Sequence, residues 1–330
     1  MKILMFGAGV INTLYAWAFS KGGHDVSLLV RPGKESSWKN GLRLNIIDHR
    51  TGKDVIVNEI FAPKVVSQFS PADNYDFIIE SVKHTQTENI LPQIAENAGN
   101  AVVIFFNNNW RGVDFIDKQF NKTQYVLAMP RGGGIIENGT LDGAIMDEVM
   151  LGDSLCGKST FAPEVETTAK QNMEKAKKLF ESAGIKPVIQ SNMEHWYWVH
   201  FASTAPWIAG GAKARGFQPF IKSLSRIREA IEAGKEAMEV CKARGVDVMK
   251  VQDAQVFLAP TWISTLIAFF MLQSKTSMKI SGGHGRYAPE ELQQIYYDVL
   301  ETAKQYNIPM PKLMAFKPFI DEMIKAREKN

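Results

Sequence analysis

The stretch Ile3-Leu4-Met5-Phe6-Gly7-Ala8-Gly9-Val10-Ile11-Asn12 decides how this 330-residue chain is read. Four apolar residues run into a glycine turn. A helical pattern follows (Leu14, Trp17, Ala18), then Lys21-Gly22-Gly23-His24 and a second apolar run, Val26-Ser27-Leu28-Leu29-Val30. Strand, glycine turn, helix, turn and strand make one βαβ unit of about thirty residues. Gly7 suits the tight turn, and Gly9 lets the backbone approach a pyrophosphate resting on the helix N-terminus. Asn12 stands where the fingerprint has its third glycine. Gly7, Ala8, Gly9, Val10, Ile11 and Asn12 are the candidate dinucleotide turn, with an ordinary glycine turn as the competing reading.

Working outward, Arg31 closes the unit. An NAD-binding version places Asp or Glu here to accept hydrogen bonds from the ribose hydroxyls. This chain offers Arg31 and Lys34 instead. A guanidinium grips phosphate bidentately, so the pair suits the 2′-phosphate of NADP; a solvated basic loop is the alternative.

The composition sets wide bounds. A chain of 330 residues suggests two domains, and 45% hydrophobic residues supply sizeable cores. A net charge of +3, with no basic block, argues against nucleic acid as a partner. Cys156 and Cys241 stand far apart without metal-ligand spacing, which fits a reducing cytoplasm rather than a disulfide framework. Met1-Lys2 runs straight into a strand, so no signal peptide is expected. The apolar run Val256–Leu272 is short for a membrane span and holds Pro260; a buried helix or a homodimer interface is the expectation.

Further along, Leu42–Ile47 and Val55–Val57 read as a hairpin about Gly52. Tyr75–Val82 is a buried strand ending at Lys83, Gln86–Ala98 a helix, Ala101–Phe106 a strand ending in Asn107-Asn108-Asn109, and Gln124–Met129 a strand. Arg131-Gly132-Gly133-Gly134 reads as a flexible loop. Shorter strands are expected at Gly134–Ile136 and Glu148–Leu151, a helix at Thr167–Ser182 and a last strand at Ile185–Ile189. Beyond Ser191 the pattern is helical: Met193–Ala209, Ser223–Ala243, Gln252–Leu272, Pro289–Tyr306 and Pro311–Arg327. The fold class is therefore α/β. Residues 1–190 form an N-terminal Rossmann-type doubly wound parallel sheet, and residues 191–330 a C-terminal all-helical domain for substrate and dimerisation.

In an open α/β sheet the ligand lies beyond the carboxyl ends of the strands. Lys83 there could hold a phosphate or a substrate carboxylate, or pair with a surface acid. Asn108 could bond a ribose or the substrate, or simply serve a turn. The histidines lack metal-ligand spacing, and neither a nucleophile elbow nor a phosphate loop of the Gly-Lys-Thr kind occurs.

On these residues the chain resembles the ketopantoate reductase family (2-dehydropantoate 2-reductases and relatives). The resemblance rests on Gly7-Ala8-Gly9 with Arg31, Ser81-Val82-Lys83 with Gln86, Asn107-Asn108-Asn109, Thr276-Ser277-Met278 and Asn307-Ile308-Pro309-Met310-Pro311. It implies a Rossmann domain joined to a helical one, with NADPH and a 2-keto acid meeting between them. The family's lysine acid and two asparagines fall at His200, Thr204 and Ile208, so the substrate half has diverged. Ser277 matches the substrate serine, and the family glutamate falls at Pro289, beside Glu290. The resemblance implies a cytoplasmic NADPH-dependent reductase of a 2-keto acid or related small carbonyl compound. His200 and Lys83 would be its catalytic groups, Thr204 and Ser277 its substrate contacts, and a metal would play no part. An oxidoreductase acting on a different carbonyl or imine, and a non-catalytic NADP(H)-binding protein, stay open.

Overall fold

The structure is a computed structural model that describes residues 1–281 and 289–325. The chain forms two compact units, Met1–Glu194 and His195–Asn330.

The first unit is built on a ten-stranded mixed sheet. Its strands are β1 (Lys2–Phe6), β2 (Asp25–Leu29), β3 (Leu42–Asp48), β4 (Val55–Phe61), β5 (Lys64–Val66), β6 (Phe77–Glu80), β7 (Val102–Phe105), β8 (Tyr125–Glu137), β9 (Thr140–Asp153) and β10 (Lys186–Ile189). Four helices belong to it: α1 (Val10–Lys21), α2 (His84–Asn97), α3 (Asp114–Asp117) and α4 (Pro163–Ser182). Six strands lie parallel in the order β5-β2-β1-β6-β7-β8. From β1 at the centre the chain builds one way to β2 and β5, then the other way to β6, β7 and β8. That reversal between β1 and β6 is the switch point where α/β sheets bind ligands. The Rossmann-type arrangement and the helical C-terminal half follow the sequence reading.

Beyond β8 the sheet departs from a purely parallel one. β9 runs antiparallel to β8, and β3 pairs parallel with β9 while forming a hairpin with β4. The hairpin thus joins the edge opposite its neighbours in sequence, β2 and β5. Helix α1 is enclosed by this extension. Asn12 through Phe19 are all buried, and α1 packs on β1, β2, β8, β9 and α4. A helix apolar on every side needs such cover, which one sheet face cannot give. Trp17 Nε1 donates to Glu59 Oε1 on β4 (2.6 Å). The Arg50 guanidinium lies 4.7 Å from the Trp17 ring, bonds both oxygens of Asp48 and donates to the Ala183 carbonyl at the end of α4.

Arg131–Gly134 is no loop; it lies inside the long strand β8. The glycines serve close approach of strands. A Cβ on Gly134 would lie 2.2 Å from the Asp142 carbonyl oxygen of β9. The pairing shifts between Pro130 and Gly132, a bulge that frees the Arg131 N–H, and the Tyr15 hydroxyl of α1 accepts it at 3.1 Å. Helix α4 starts a turn earlier than Thr167, at Pro163, where proline suits a first turn carrying Glu164 and Glu166.

The second unit is helical: α5 (Met193–Lys213, from His195 on), α6 (Phe217–Ile221), α7 (Leu224–Ala243), α8 (Gln255–Leu258), α9 (Thr261–Leu272) and α10 (Lys275–Ser281), then Pro289–Gln305, Pro311–Met314 and Lys317–Lys325. Buried α7 packs against α9 and against helices Pro289–Gln305 and Pro311–Met314. Two helices expected to be continuous are broken. Gln252–Leu272 divides at Ala259-Pro260, where proline removes an N–H and disfavours a helical residue before it. Pro311–Arg327 divides ahead of Pro318 for the same reason, and its end at Arg327 lies outside the described residues.

Candidate functional site

The glycine turn joins β1 to α1 at the switch point. Gly7 has φ +104°, a region L side chains rarely adopt, whereas Gly9 is the N-cap of α1 with ordinary extended backbone. A Cβ on Gly9 would meet no atom within 4 Å, so the space before the helix N-terminus is open. Gly9 offers no side chain to cap α1, and no acid stands in the first turn. The first N–H groups of the helix are left for an anion. Ala8, Val10 and Ile11 line the turn half-buried. Asn12 points inward: its Nδ2 donates to the carbonyls of Phe6 (2.8 Å) and Gly7 (3.0 Å).

Arg31 and Lys34 end a tight turn just beyond β2. Lys34 N–H donates to the Arg31 carbonyl (3.0 Å), with Pro32 and Gly33 (φ +81°) between them, the geometry of a type II turn. Both side chains are exposed, and among the described residues neither has an ion-pair partner. The acid next in sequence, Glu35, is committed elsewhere: the Ser67 hydroxyl and nearby backbone N–H groups hold its carboxyl below the usual range.

Two further strand ends carry the other residues singled out in this unit. Phe6, Glu80 and Phe105 stand in register at the ends of β1, β6 and β7. Exposed Lys83 is the N-cap of α2, three residues past β6, and among the described residues its ammonium has no partner. Asn108 lies three residues past β7. Its Oδ1 is buried yet has no hydrogen-bond partner among the described residues, as is true of Asn12 Oδ1. An open space before a helix N-terminus, cations at two strand ends without a partner among the described residues, and the orphaned Asn108 amide oxygen fit a dinucleotide.

Sequence reasoning passed over the group between these turns. Glu80 is fully buried; Oε1 accepts from Val82 N–H (2.5 Å) and Oε2 from Asn107 Nδ2 (2.7 Å). Asn107 Nδ2 also donates to Thr87 Oγ1 (2.6 Å) in the first turns of α2. Burial pushes the Glu80 carboxyl up to about 8, opposed only in part by these bonds. An acid at the end of the apolar run Phe77-Ile78-Ile79 was the visible signal.

In the second unit, His200 and Thr204 stand one turn apart on α5. His200 Nδ1 lies 2.8 Å from Asp253 Oδ2, and its ring stacks on Trp196 (4.8 Å, 11° between planes). The imidazole stays 28% exposed. Nothing in the sequence pairs His200 with Asp253. The Thr204 hydroxyl donates back to the His200 carbonyl (2.8 Å). Ser277 on α10 accepts from Ser274 Oγ (2.7 Å) and donates to the Met271 carbonyl (3.2 Å), closing the turn after α9. Glu290 lies in the first turn of helix Pro289–Gln305. Among the described residues no group of three His, Cys, Asp or Glu side chains is placed to hold a metal ion, and no helix is long and apolar enough to cross a membrane.

Comparison with known proteins agrees with this geometry. No curated protein matches the chain in sequence. Among solved structures, 2-dehydropantoate 2-reductase from Geobacter metallireducens GS-15 superposes with TM-score 0.71 at 16% identity, over 98% of this chain and 99% of that one. D-mandelate dehydrogenase, in a ternary structure with NADH and anilino(oxo)acetate, gives 0.69 at 15% identity over 99% of each. The dimeric ketopantoate reductase from Staphylococcus aureus gives 0.66 at 12% identity, again over 99% of each. These likenesses show a shared fold. The family model "Ketopantoate reductase PanE/ApbA" matches residues 3–149, the part of the chain that carries the glycine turn, Arg31, Lys83 and Asn108. Residues 3–149 match the PanE/ApbA ketopantoate reductase model, and the chain shares the fold of the ketopantoate reductases it superposes on over nearly its whole length.

Proposed function

We propose that the protein is a cytoplasmic NADPH-dependent reductase of a 2-keto acid or a related small carbonyl compound. The observation that carries this reading is the glycine turn at the switch point, with open space before an uncapped helix N-terminus and two free cations beyond β2. The N–H groups of α1 and the turn from Gly7 to Asn12 hold the pyrophosphate, and Arg31 with Lys34 holds the 2′-phosphate. Asn108 orients the cofactor through its unpartnered Oδ1. The nicotinamide, when bound, supplies the hydride. Lys83 stabilises negative charge developing on the carbonyl oxygen or holds the substrate carboxylate. His200, steadied by Asp253 and Trp196, donates the proton from Nε2, and Thr204 and Ser277 contact the substrate. Alcohol oxidation uses the same groups in reverse.

The protein also assembles as a homodimer through α9, in this reading. On that helix Ser264 and Ala268 face inward, while Trp262 (67% exposed), Leu266 and Phe270 (72%) form an outward apolar stripe. The dimeric state of the Staphylococcus aureus neighbour lends support.

The test is to incubate the protein with NADPH and a panel of aliphatic and aromatic 2-keto acids, followed at the nicotinamide absorbance. Oxidation of NADPH with at least one acid, and none without, is expected. Tight NADPH binding with no turnover across the panel favours a binding protein, the reading left open by the loss of the family's lysine at His200.

A further inference from the structure

The buried Glu80 has no place in the mechanism above, yet its bonds meet at the two turns the mechanism uses. One carboxyl oxygen takes the Val82 N–H, which precedes Lys83; the other takes Asn107 Nδ2, which precedes Asn108. The same Asn107 nitrogen reaches Thr87 in α2, and the Thr87 hydroxyl approaches the Lys83 carbonyl at 3.4 Å. One side chain therefore links the end of β6, the first turns of α2 and the end of β7. Its register neighbours, Phe6 and Phe105, cannot titrate. The charged or titratable side chains on the adjoining turns are Lys83, His84, Glu88 and Arg111, and none bonds the carboxyl. Held neutral up to about pH 8, this acid escapes the cost of a buried charge there but brings a titration that a purely structural amide link would lack.

We infer that Glu80 is a positioning residue for the nicotinamide cofactor: its carboxyl ties the turn carrying Lys83 to the turn carrying Asn108 and fixes their spacing across β6 and β7. The inference rests on the cofactor reading above. With the carboxyl neutral, the network carries no charge beside an anionic ligand. Once ionised, above about pH 8, it sets a buried negative charge behind both turns and opposes that ligand.

The experiment titrates NADPH and NADH by nicotinamide fluorescence into the parent, Glu80→Gln and Glu80→Leu, on both sides of pH 8, with melting curves for each. Glu80→Leu leaves the Val82 N–H without its acceptor and Asn107 bonded to Thr87 alone, so affinity for both cofactors should fall by about tenfold or more. Glu80→Gln keeps an acceptor and should bind within about threefold of the parent at neutral pH. It should lack the parent's loss of affinity above pH 8. Parent-like affinity in a folded Glu80→Leu protein overturns the inference. So does a Glu80→Gln protein that keeps the parent's pH profile, which decides the matter if the leucine variant does not fold. A parent that binds neither cofactor overturns the cofactor reading itself, and this inference with it.

Discussion

Gly7 and Gly9 differ in what they owe to folding, and the difference makes a sharp test. Gly9 has φ −77° and ψ 179°, open to any residue, and a Cβ there meets nothing within 4 Å. Gly9→Val therefore adds a Cβ without a clash. It loses a modest N-cap preference, about 1 kcal/mol, and regains about 0.4–1 kcal/mol by restricting the unfolded chain, so stability should change by less than about 1 kcal/mol. Gly7, at φ +104°, has no such latitude, and Gly7→Ala should cost on the order of 1–3 kcal/mol of backbone strain. Binding should reverse the contrast in cause. The valine side chain fills the space before the α1 N-terminus where the pyrophosphate is proposed to lie. A loss of at least about a hundredfold, roughly 2.7 kcal/mol, is expected for NADPH and NADH alike. Urea unfolding and fluorescence titration on the same samples measure both quantities. A Gly9→Val protein of parent stability that binds either cofactor as the parent does would refute the placement of the pyrophosphate on α1.

Arg31→Ala should weaken NADPH by about ten- to a hundredfold while leaving NADH almost unchanged; equal losses for both would show that Arg31 does not read the 2′-phosphate. His200→Ala should slow carbonyl reduction at saturating NADPH by about 10²–10⁴-fold, and Asp253→Asn by a lesser factor with cofactor affinity kept; parent rates in both would leave the His200–Asp253 pair structural. Glu80→Gln should alter stability with a definite sign. The folded carboxyl holds its proton to about pH 8 against 4.5 ordinarily, so its favourable contribution, complete below 4.5, drains away as pH rises through 8. The variant should gain on the parent across that window, by an upper bound of about 5 kcal/mol, and a constant gap in urea midpoints would show that Glu80 is ionised throughout. Phe270→Glu together with Leu266→Glu should convert a dimer into a folded monomer by light scattering; a monomeric parent would dispose of the α9 interface.

How much of this could be read from the chain depends on how far apart the interacting residues stand. The β1–α1–β2 unit is local, and its glycines, apolar runs and closing Arg31 sit where periodicity puts them. The parallel order followed from strand–helix alternation, and the helical half from its period. The failures have physical causes. Three glycines in a row lower strand propensity, so Arg131–Gly134 looked like a loop, although strand crossing at Gly134 is what excludes a side chain. The placement of the β3–β4 hairpin beside β9 is a pairing between Arg43 and Thr140 that no local pattern encodes. Glu80 with Asn107, and His200 with Asp253, lie 27 and 53 residues apart, so the residue types were visible but the pairs were not.

Asn12 shows why a missing fingerprint residue need not mean a missing site. The third glycine of the motif allows the helix to pack closely on its strand. Any side chain at that position must then fit between β1 and α1, and an apolar one would leave the strand-end carbonyls of Phe6 and Gly7 without these donors. The Asn12 Nδ2 donates to both, which offsets part of the cost of burying the amide, while its Oδ1 stays without a partner among the described residues. The turn is thereby closed from inside by a side chain rather than by bare backbone contact. Rigidity of this kind favours anion binding, since N–H groups already fixed lose less entropy when a phosphate arrives. Enclosure of α1 by β8, β9 and α4 acts in the same direction, with Tyr15 clasping the β8 bulge and Trp17 bonding Glu59. A helix held at so many points presents its N-terminus at one fixed place. The extension of the sheet and the asparagine at the third position of the motif thus bear on the same property, the stiffness of the turn at Gly9.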